Sequence, residues 1–214
     1  MQQTIGIKIA TMNNLLLPKP QTFPQKTELA KATYEVFLSR GYDEATIQAV
    51  AERLRLSPEL LQQSYSSKYE LWYAALCQAS EGLQQAVEAV TAKSPLEQLH
   101  QACLAFVEWA KKNPDAYRFL TMPRSDSMPE PDEPAPGVIL FRVQMQRMVK
   151  RCIKEGIFAQ QPVEAATQGL WCALHGVSDF LINIRRIPWV PELPEVVIAN
   201  YVAGMQKRSS STEN

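Results

Sequence analysis

The stretch ATIQAVAERLRLSPELLQQSYSSKYEL, residues Ala45–Leu71, decides the fold of this chain. Its first apolar residues recur at i, i+3, i+4 and i+7, the spacing of one face of a short helix. Ser57-Pro58 indicates a second helix, because serine is a favoured N-cap and proline loses no hydrogen bond at the first helical position. Ser67-Lys-Tyr-Glu70 is a capping box and predicts a third, longer helix. Two short helices joined by a tight turn form a helix-turn-helix, whose second helix can enter the DNA major groove.

The rest of the chain also has helical periodicity, and no alternating strand pattern occurs. The sequence therefore predicts an all-α fold with an N-terminal three-helix helix-turn-helix domain and a C-terminal six-helix domain. The predicted divisions are a flexible arm over 1–23, the DNA-binding domain over 24–71, the regulatory domain over 72–208 and a disordered tail over 209–214. Two lysines in the arm leave a DNA-contacting role open beside simple mobility.

The charge balance does not favour nucleic acid. The formal net charge of the chain is zero, and residues 24–72 carry six basic against seven acidic side chains. Because neutralisation of phosphates drives most non-specific DNA affinity, we expect weak binding that depends on a few well-placed groups.

The segment Thr121–Gly137 carries five prolines and four carboxylates, which predicts a surface insertion, with a lid over a ligand site as the alternative.

The four cysteines are widely separated and form no metal-type pair. Each lies among apolar residues, so we expect buried, reduced thiols and no disulfide. No charged leader followed by an apolar run is present, and no segment reaches ~18 uninterrupted apolar residues. The sequence predicts a cytoplasmic protein without a cofactor, a metal site or a membrane segment.

The segment AVAERLRLSPELLQQSYSSKYEL resembles the DNA-binding domain of TetR-type (AcrR-like) transcriptional regulators. The matching residues are Gly41-Tyr42, Thr46-Ile47, Ala51, Ser57, Leu61, Tyr65, Ser66-Ser67-Lys68 and Leu71. Several positions depart from that pattern: Arg55 and Glu59 stand where the family usually has glycine, Gln62 where it has tyrosine, Ser64 where histidine is common, and Ala45 where a hydroxyl residue is usual.

We expect the DNA-contact set to be Thr46, Ser57, Pro58, Leu60, Gln62, Gln63, Ser64 and Lys68. Glutamine amides can pair bidentately with adenine. Thr46 and Lys68, at the starts of their helices, are predicted to bind phosphates. Glu52 and Glu59 place negative charge near the same surface.

Two C-terminal stretches, AFVEWAKKNPDAYRFL (105–120) and GLWCALHGVSDFL (169–181), resemble the regulatory domain of one branch of the same family, with a Trp-three-His-Gly (WHG-like) signature. The resemblance implies that the C-terminal six-helix domain is a ligand-binding and dimerisation domain, which forms a homodimer and encloses a small-molecule site. Candidate wall residues for an apolar or aromatic effector are Trp109, Tyr117, Met145, Trp171 and His175, and ordinary core packing is the alternative for each. Small residues at 165, 169, 172, 173 and 176 predict close helix packing, within the subunit or across the dimer.

These features predict a ligand-responsive transcriptional repressor that binds double-stranded operator DNA as a dimer and is not an enzyme. One alternative is a dimeric ligand-binding or interaction protein of the same fold with degenerate DNA-contact residues. Another is a cysteine enzyme built on Cys172, His175 and Asp179, which fall at i, i+3 and i+7, although no oxyanion donor is evident nearby.

Overall fold

The structure of the protein is a computed structural model, which describes residues 23–123, 125–129 and 135–207. The all-α prediction is confirmed: these residues form nine helices and no sheet. The predictions for the arm and the tail fall outside the described residues, apart from Phe23. In chain order the helices are α1 Lys26–Glu44, α2 Ile47–Leu54, α3 Pro58–Gln62, α4 Lys68–Glu88, α5 Pro95–Lys112, α6 Pro114–Leu120, α7 Pro136–Lys154, α8 Val163–Asn183 and α9 Leu193–Met205.

Four helices begin at side-chain N-caps, and the sequence analysis identifies two of these caps, Ser57 and Ser67. Thr46, Ser57, Ser67 and Ser94 cap α2, α3, α4 and α5, and each hydroxyl oxygen accepts a hydrogen bond from the backbone N–H three residues later at 3.1–3.3 Å. The second half of the capping box at α4 differs from the prediction. The Glu70 carboxylate accepts hydrogen bonds of 2.8 Å from the backbone N–H and the hydroxyl of Ser66, one residue before the N-cap.

Residues with positive φ interrupt α1 and end α2. Gly41 has φ 75° and interrupts α1 before its last residues, a conformation that glycine adopts without steric cost. Arg55 ends α2 with φ 59° and ψ 38°, and it is the one non-glycine residue with positive φ in the described chain. The N–H of Leu56 donates to the carbonyl of Ala51 at 2.9 Å and the N–H of Arg55 to that of Glu52 at 3.1 Å. These two bonds make a Schellman motif with arginine where glycine is the usual residue.

The buried side chains form two apolar clusters that meet along α4. One cluster contains the predicted helix-turn-helix and is named the DNA-binding cluster; it joins α1, α2 and α3 to the first half of α4. The other is named the regulatory core; it joins α5, α7, α8 and α9 to Leu83 and Val87 near the end of α4. The first cluster also takes in Phe119 from α6. A division of the chain at residue 71 therefore cuts through the packing of the DNA-binding half, because Leu71, Trp72 and Phe119 belong to one cluster.

The proline-rich acidic segment is not wholly a surface insertion. Met128 and Ala135 are buried in the DNA-binding cluster. The hydroxyl of Ser125 donates to the Asp43 carboxylate at 2.6–2.7 Å, and Ser127 also donates to it. These two hydrogen bonds lower the pKa of Asp43. The segment thus attaches the regulatory half to the C-terminal end of α1.

The backbone at residue 55 gives a stability prediction. The left-handed conformation costs a non-glycine residue about 1 kcal/mol relative to glycine. Arg55→Gly and Arg55→Ala both remove the arginine side chain, so the difference between them isolates the backbone effect. We expect Arg55→Gly to be about 1 kcal/mol more stable than Arg55→Ala in urea unfolding. Equal midpoints for the two variants would show that the turn does not have this conformation.

Candidate DNA-binding and effector sites

The helix-turn-helix presents a short recognition helix. α3 spans five residues, Pro58–Gln62, and Leu61 is its buried side chain. Gln62 is exposed within the helix, whereas Gln63 is its C-cap and Ser64 lies in the following turn, both also exposed. Ser57, Pro58 and Leu60 at the start of α3 are half-buried. The exposed polar run predicted for this surface is therefore present, but two of its three residues, Gln63 and Ser64, lie beyond the last residue of the helix.

The two residues predicted to bind phosphates have structural partners. Thr46 is exposed and accepts the N-cap bond of α2 from Ala49 at 3.1 Å. A hydroxyl that accepts one hydrogen bond can still donate its own proton, so this cap is compatible with a phosphate contact. The Lys68 ammonium donates to the carbonyls of Tyr42 and Asp43 at 2.9 Å each and lies 4.6 Å from the Tyr42 ring centroid. Two of its three N–H groups are therefore used to attach α4 to the C-terminal end of α1.

An aromatic cluster fixes α6 against the DNA-binding half. The Phe119 ring is fully buried, and its centroid lies 4.8 Å from that of Tyr34, 6.1 Å from that of Phe37 and 6.3 Å from that of Trp72. Burying a phenylalanine side chain contributes roughly 1.5–3 kcal/mol. α6 is therefore attached to the DNA-binding half by an interaction that is strong for so short a helix.

The other face of α6 contacts the regulatory core. The Tyr117 hydroxyl lies 3.3 Å from Nδ1 of His175 and donates to the His175 carbonyl at 3.2 Å. The Arg118 guanidinium donates to the Asn183 side chain at 2.8 Å. Both partners lie on α8, so α6 touches the DNA-binding cluster on one side and the last half of α8 on the other.

All five predicted effector-site residues lie in the regulatory core, and four of them surround one phenylalanine. The Phe106 ring is 5.1 Å from His175, 6.0 Å from Trp171, 6.4 Å from Tyr117 and 6.5 Å from Trp109, between centroids. Met145 is fully buried in the same cluster. The sequence analysis did not identify the central position of Phe106. Its spacing of three residues from Trp109 on α5 was the available signal.

These rings pack against one another. Trp171 and His175 are 4.8 Å apart, and Phe141 stacks on Phe106 at 5.2 Å. Three clefts on the described surface have other walls. One of about 400 Å³ lies between the start of α5 and the end of α9, one of about 340 Å³ between α7 and the start of α8, and one of about 330 Å³ between α4, α5 and α7. The aromatic cluster is thus closed in this structure.

Two buried polar atoms on α8 have no hydrogen-bond partner among the described residues. They are Nε2 of His175 and the hydroxyl of Ser178. Burial lowers the pKa of His175 to about 4, and the nearby Asp179 opposes this shift. Burial also raises the pKa of Tyr117 to about 12. The imidazole is therefore neutral at pH 7, with one nitrogen still able to hydrogen-bond.

The comparisons with known proteins match both halves of the chain. A model described as "Bacterial regulatory proteins, tetR family" matches residues 23–75, and one described as "Tetracyclin repressor-like, C-terminal domain" matches residues 99–199. Together they cover more than half of the sequence. The chain is a TetR-family transcriptional regulator. Its regulatory domain matches the tetracycline-repressor-like model, so the WHG-like subtype indicated by the sequence is not confirmed.

A curated relative and several solved structures agree with the family. The HTH-type transcriptional activator FasR of Mycolicibacterium smegmatis is 31% identical over 100 residues, which are 45% of each protein, so the match spans less than half of that relative. Among solved structures, a TetR-family regulatory protein from Rhodococcus RHA1 has a TM-score of 0.71 at 18% identity over 88% of this chain and 100% of its own. A candidate fatty acid metabolism regulator of Clostridium perfringens has a TM-score of 0.69 at 15% identity, over 85% and 100%. PfmR of Thermus thermophilus has a TM-score of 0.64 at 21% identity, over 84% of this chain and 99% of its own. These structural likenesses concern the fold.

The cysteine predictions are correct in part. Cys103 and Cys152 are buried, and Cys77 is partly buried, but Cys172 is exposed, so the prediction of a buried thiol there is wrong. α8 has two apolar faces, and the face of Cys172 is uncovered in the single chain. His175 has its ring in the core and makes no hydrogen bond to Cys172. The thiol and the imidazole are therefore not arranged as a nucleophile and base, and TetR regulators are in general not enzymes.

Neither a metal-type cluster nor a membrane-crossing helix occurs in the described part of the chain. No group of three or more histidine, cysteine or acidic side chains there has the arrangement of a metal site. None of the described helices combines the length and the apolar character that crossing a bilayer requires.

The buried histidine of this TetR-family regulator gives a pH prediction. His175 has an ordinary pKa near 6.5 when unfolded and about 4 when folded, so the unfolded state takes up the proton first as the pH falls. Its stabilising contribution is complete above pH 6.5 and declines between pH 6.5 and 4. We expect His175→Asn to reduce the loss of unfolding free energy between pH 7 and pH 4.5 by about 2 kcal/mol. The measurement is urea unfolding at both pH values, with His100→Asn as control; equal losses in wild type and His175→Asn would contradict the burial.

Proposed function

We propose that this TetR-family regulator binds operator DNA as a homodimer and that a small apolar or aromatic effector in the regulatory core controls the binding. The observation that carries the proposal is the double contact of α6. Tyr117 contacts His175 in the regulatory core, and Phe119, two residues later, is buried in the DNA-binding cluster. Residues two apart on a helix point in different directions, so one short helix contacts both sites. A change around His175 is thereby transmitted to Tyr34 and Trp72.

The DNA-binding part of the proposal rests on the surface of α3 and the starts of α2 and α4. We assign base contacts to Gln62 and Gln63, supported by Ser57, Pro58, Leu60 and Ser64, and phosphate contacts to Thr46 and the remaining N–H of Lys68. Glu59 is exposed in the first turn of α3 and repels phosphates. Because a symmetric dimer places its recognition helices at half-sites about 34 Å apart or a multiple of this, a small displacement of α4 lowers the affinity.

The experiment for DNA binding is selection of bound fragments from sheared genomic DNA by the purified protein at 50 and 200 mM KCl. We expect an enriched inverted repeat and a shallow dependence on salt, because few basic residues face the DNA. Gln62→Ala should reduce discrimination at one base pair by ~1–3 kcal/mol, whereas Glu59→Gln should raise affinity for all sequences. If no sequence is enriched at either salt concentration, even with Glu59→Gln, the alternative of an interaction protein replaces this proposal.

The effector part of the proposal uses the ring cluster between α5, α6, α7 and α8. We assign the walls to Trp109, Tyr117, Met145, Trp171 and His175. An apolar site with a few polar groups is the usual form of a small-molecule site, and here Nε2 of His175 and the Ser178 hydroxyl are buried polar atoms available to a ligand. Binding requires the rings to separate, which displaces Tyr117 and with it α6.

The effector prediction is tested by thermal shift with a panel of aromatic compounds and long-chain acyl compounds. A ligand at a hundred times its dissociation constant stabilises the native state by ~2.7 kcal/mol, which is easily detected. We expect Trp171→Ala to remove the shift, while His100→Ala, on the outer side of α5, retains it. A shift that persists in Trp171→Ala would place the ligand elsewhere, and a panel without any shift would count against this part of the proposal.

The dimer part of the proposal rests on an uncovered face of α8. Cys172, Gly176 and Phe180 follow one another at i, i+4 and i+8 on this helix, and Phe180 is 47% exposed despite stacking on Trp189. Cys172 is also exposed, and Val196 on α9 is 49% exposed. An exposed apolar face of this kind suits the same face of a second copy.

The sequence analysis left open whether Gly169 packs within the subunit or across a dimer, and Gly169 lies against α9 of its own chain. A Cβ atom at this position would lie 1.9 Å from the hydroxyl of Tyr201, on α9 of the same chain, whereas nothing lies within 4 Å of a Cβ atom at Gly176. Gly169 therefore permits the approach of α9 within the subunit. The small residue available to a partner subunit is Gly176.

We expect Gly176→Leu to fold normally and to remain a monomer of about 24 kDa at concentrations where the wild type is a dimer. Gly169→Ala is the contrasting variant and should lower subunit stability, because its methyl group displaces Tyr201. Sedimentation velocity and thermal unfolding measure the two effects. Alkylation of Cys172 should accelerate on dilution of the wild type as dimers dissociate. A wild-type dimer that Gly176→Leu leaves unchanged would assign the interface to another surface.

The sign of regulation follows from a reporter assay. The sequence interpretation predicts a repressor, whereas the relative FasR is named an activator. A promoter carrying the selected operator is assayed with and without the regulator. Higher expression in the absence of the regulator supports repression, and lower expression supports activation.

A further inference from the structure

The arginine at the turn of the helix-turn-helix occupies a backbone conformation that disfavours it. The Schellman motif at the end of α2 places Arg55 at φ 59°, a conformation that glycine adopts without steric cost. Strained conformations of this kind tend to persist where a side chain has a function. A function for Arg55 depends on what its guanidinium can contact.

Arg55 lies close to the start of the recognition helix. It is two residues before Ser57, the N-cap of α3, and it is exposed. In helix-turn-helix proteins the first residues of the recognition helix enter the major groove while the preceding helix crosses the phosphate backbone. A side chain in the turn between the two helices is therefore next to the phosphates at the groove edge.

The charge distribution of the DNA-binding half increases the importance of this position. Residues 24–72 have one more acidic than basic side chain. Glu59 lies on the first turn of α3. A cation at residue 55 offsets that carboxylate at the end of the helix that approaches DNA.

We propose that Arg55 is a phosphate-contacting residue of this regulator and that the energy stored in its backbone is the cost of placing a guanidinium beside the recognition helix. This inference rests on the proposed DNA-binding function and adds a contact that the DNA-contact set assigned above lacks. It follows that substitution by glycine stabilises the fold and weakens DNA binding at the same time.

The test uses a 30-base-pair duplex of random sequence and the full chain, so no operator is required. Binding is measured by fluorescence anisotropy from 50 to 200 mM KCl for wild type, Arg55→Lys, Arg55→Ala and Arg55→Gly. Loss of one phosphate contact reduces the slope of log affinity against log salt by about 0.9 per bound subunit, which is about threefold in affinity over this range. Arg147→Ala, on α7 in the regulatory half, is the control and should keep the wild-type slope.

We expect Arg55→Lys to keep the wild-type salt slope and both uncharged variants to have a slope smaller by about 0.9. Arg55→Gly should be more stable than Arg55→Ala. Arg55→Ala and Arg55→Gly variants that bind with the wild-type slope overturn the inference and leave the proposed function intact. If the uncharged variants lose affinity only for the selected operator and keep the wild-type salt slope on random duplex, Arg55 contacts a base and the phosphate contact is overturned. A wild-type protein that binds no duplex at 50 mM KCl overturns the proposed function and the inference together.

Discussion

The burial of Phe119 is the interaction on which the arrangement of the two halves depends. Its ring belongs to a seven-residue helix that is too short to be stable alone, so α6 exists because both of its sides are packed. On one side Phe119 contacts Tyr34 and Trp72, and on the other Tyr117 and Arg118 bond to α8. Neither contact can shift without a change in the orientation of this helix. The hydrogen bonds from Ser125 and Ser127 to Asp43 add a polar attachment a few residues later.

The electrostatics of the two sites are set by different causes. In the regulatory core, burial keeps His175 neutral and leaves Nε2 without a partner in the described chain. On the DNA-binding surface the groups are exposed, and salt bridges or backbone carbonyls already engage some of its cations, as Arg53 and Lys68 illustrate. Binding in the core would therefore be governed by desolvation, whereas binding at the surface would be governed by the few cations placed near phosphates.

Local sequence signals predicted the local structure well. The N-caps at Thr46, Ser57, Ser67 and Ser94, and the turn at Gly41, follow from side-chain and backbone chemistry within four residues. Helical periodicity also brought Trp171 and His175 to one face. What the sequence could not determine is which partner covers each face. On α8, Gly169 lies against α9 of its own chain, whereas Cys172 lies on the uncovered face. Met128 is buried among residues that are distant from it in the sequence. Such choices depend on tertiary contacts that a single sequence does not display.

The shared cluster around Trp72 and Phe119 bears on how modular this regulator is. A chimera of helix-turn-helix regulators, in which one DNA-binding domain is exchanged for another, requires that this domain packs separately from the rest of the chain. In this chain an exchange at residue 71 would separate Phe37 and Leu71 from Phe119, Met128 and Ala135, which complete their core. A transplantable unit would have to include the matching positions of α4, α6 and the segment that follows it. The two halves of this protein therefore share one packed cluster, although separate family models match them.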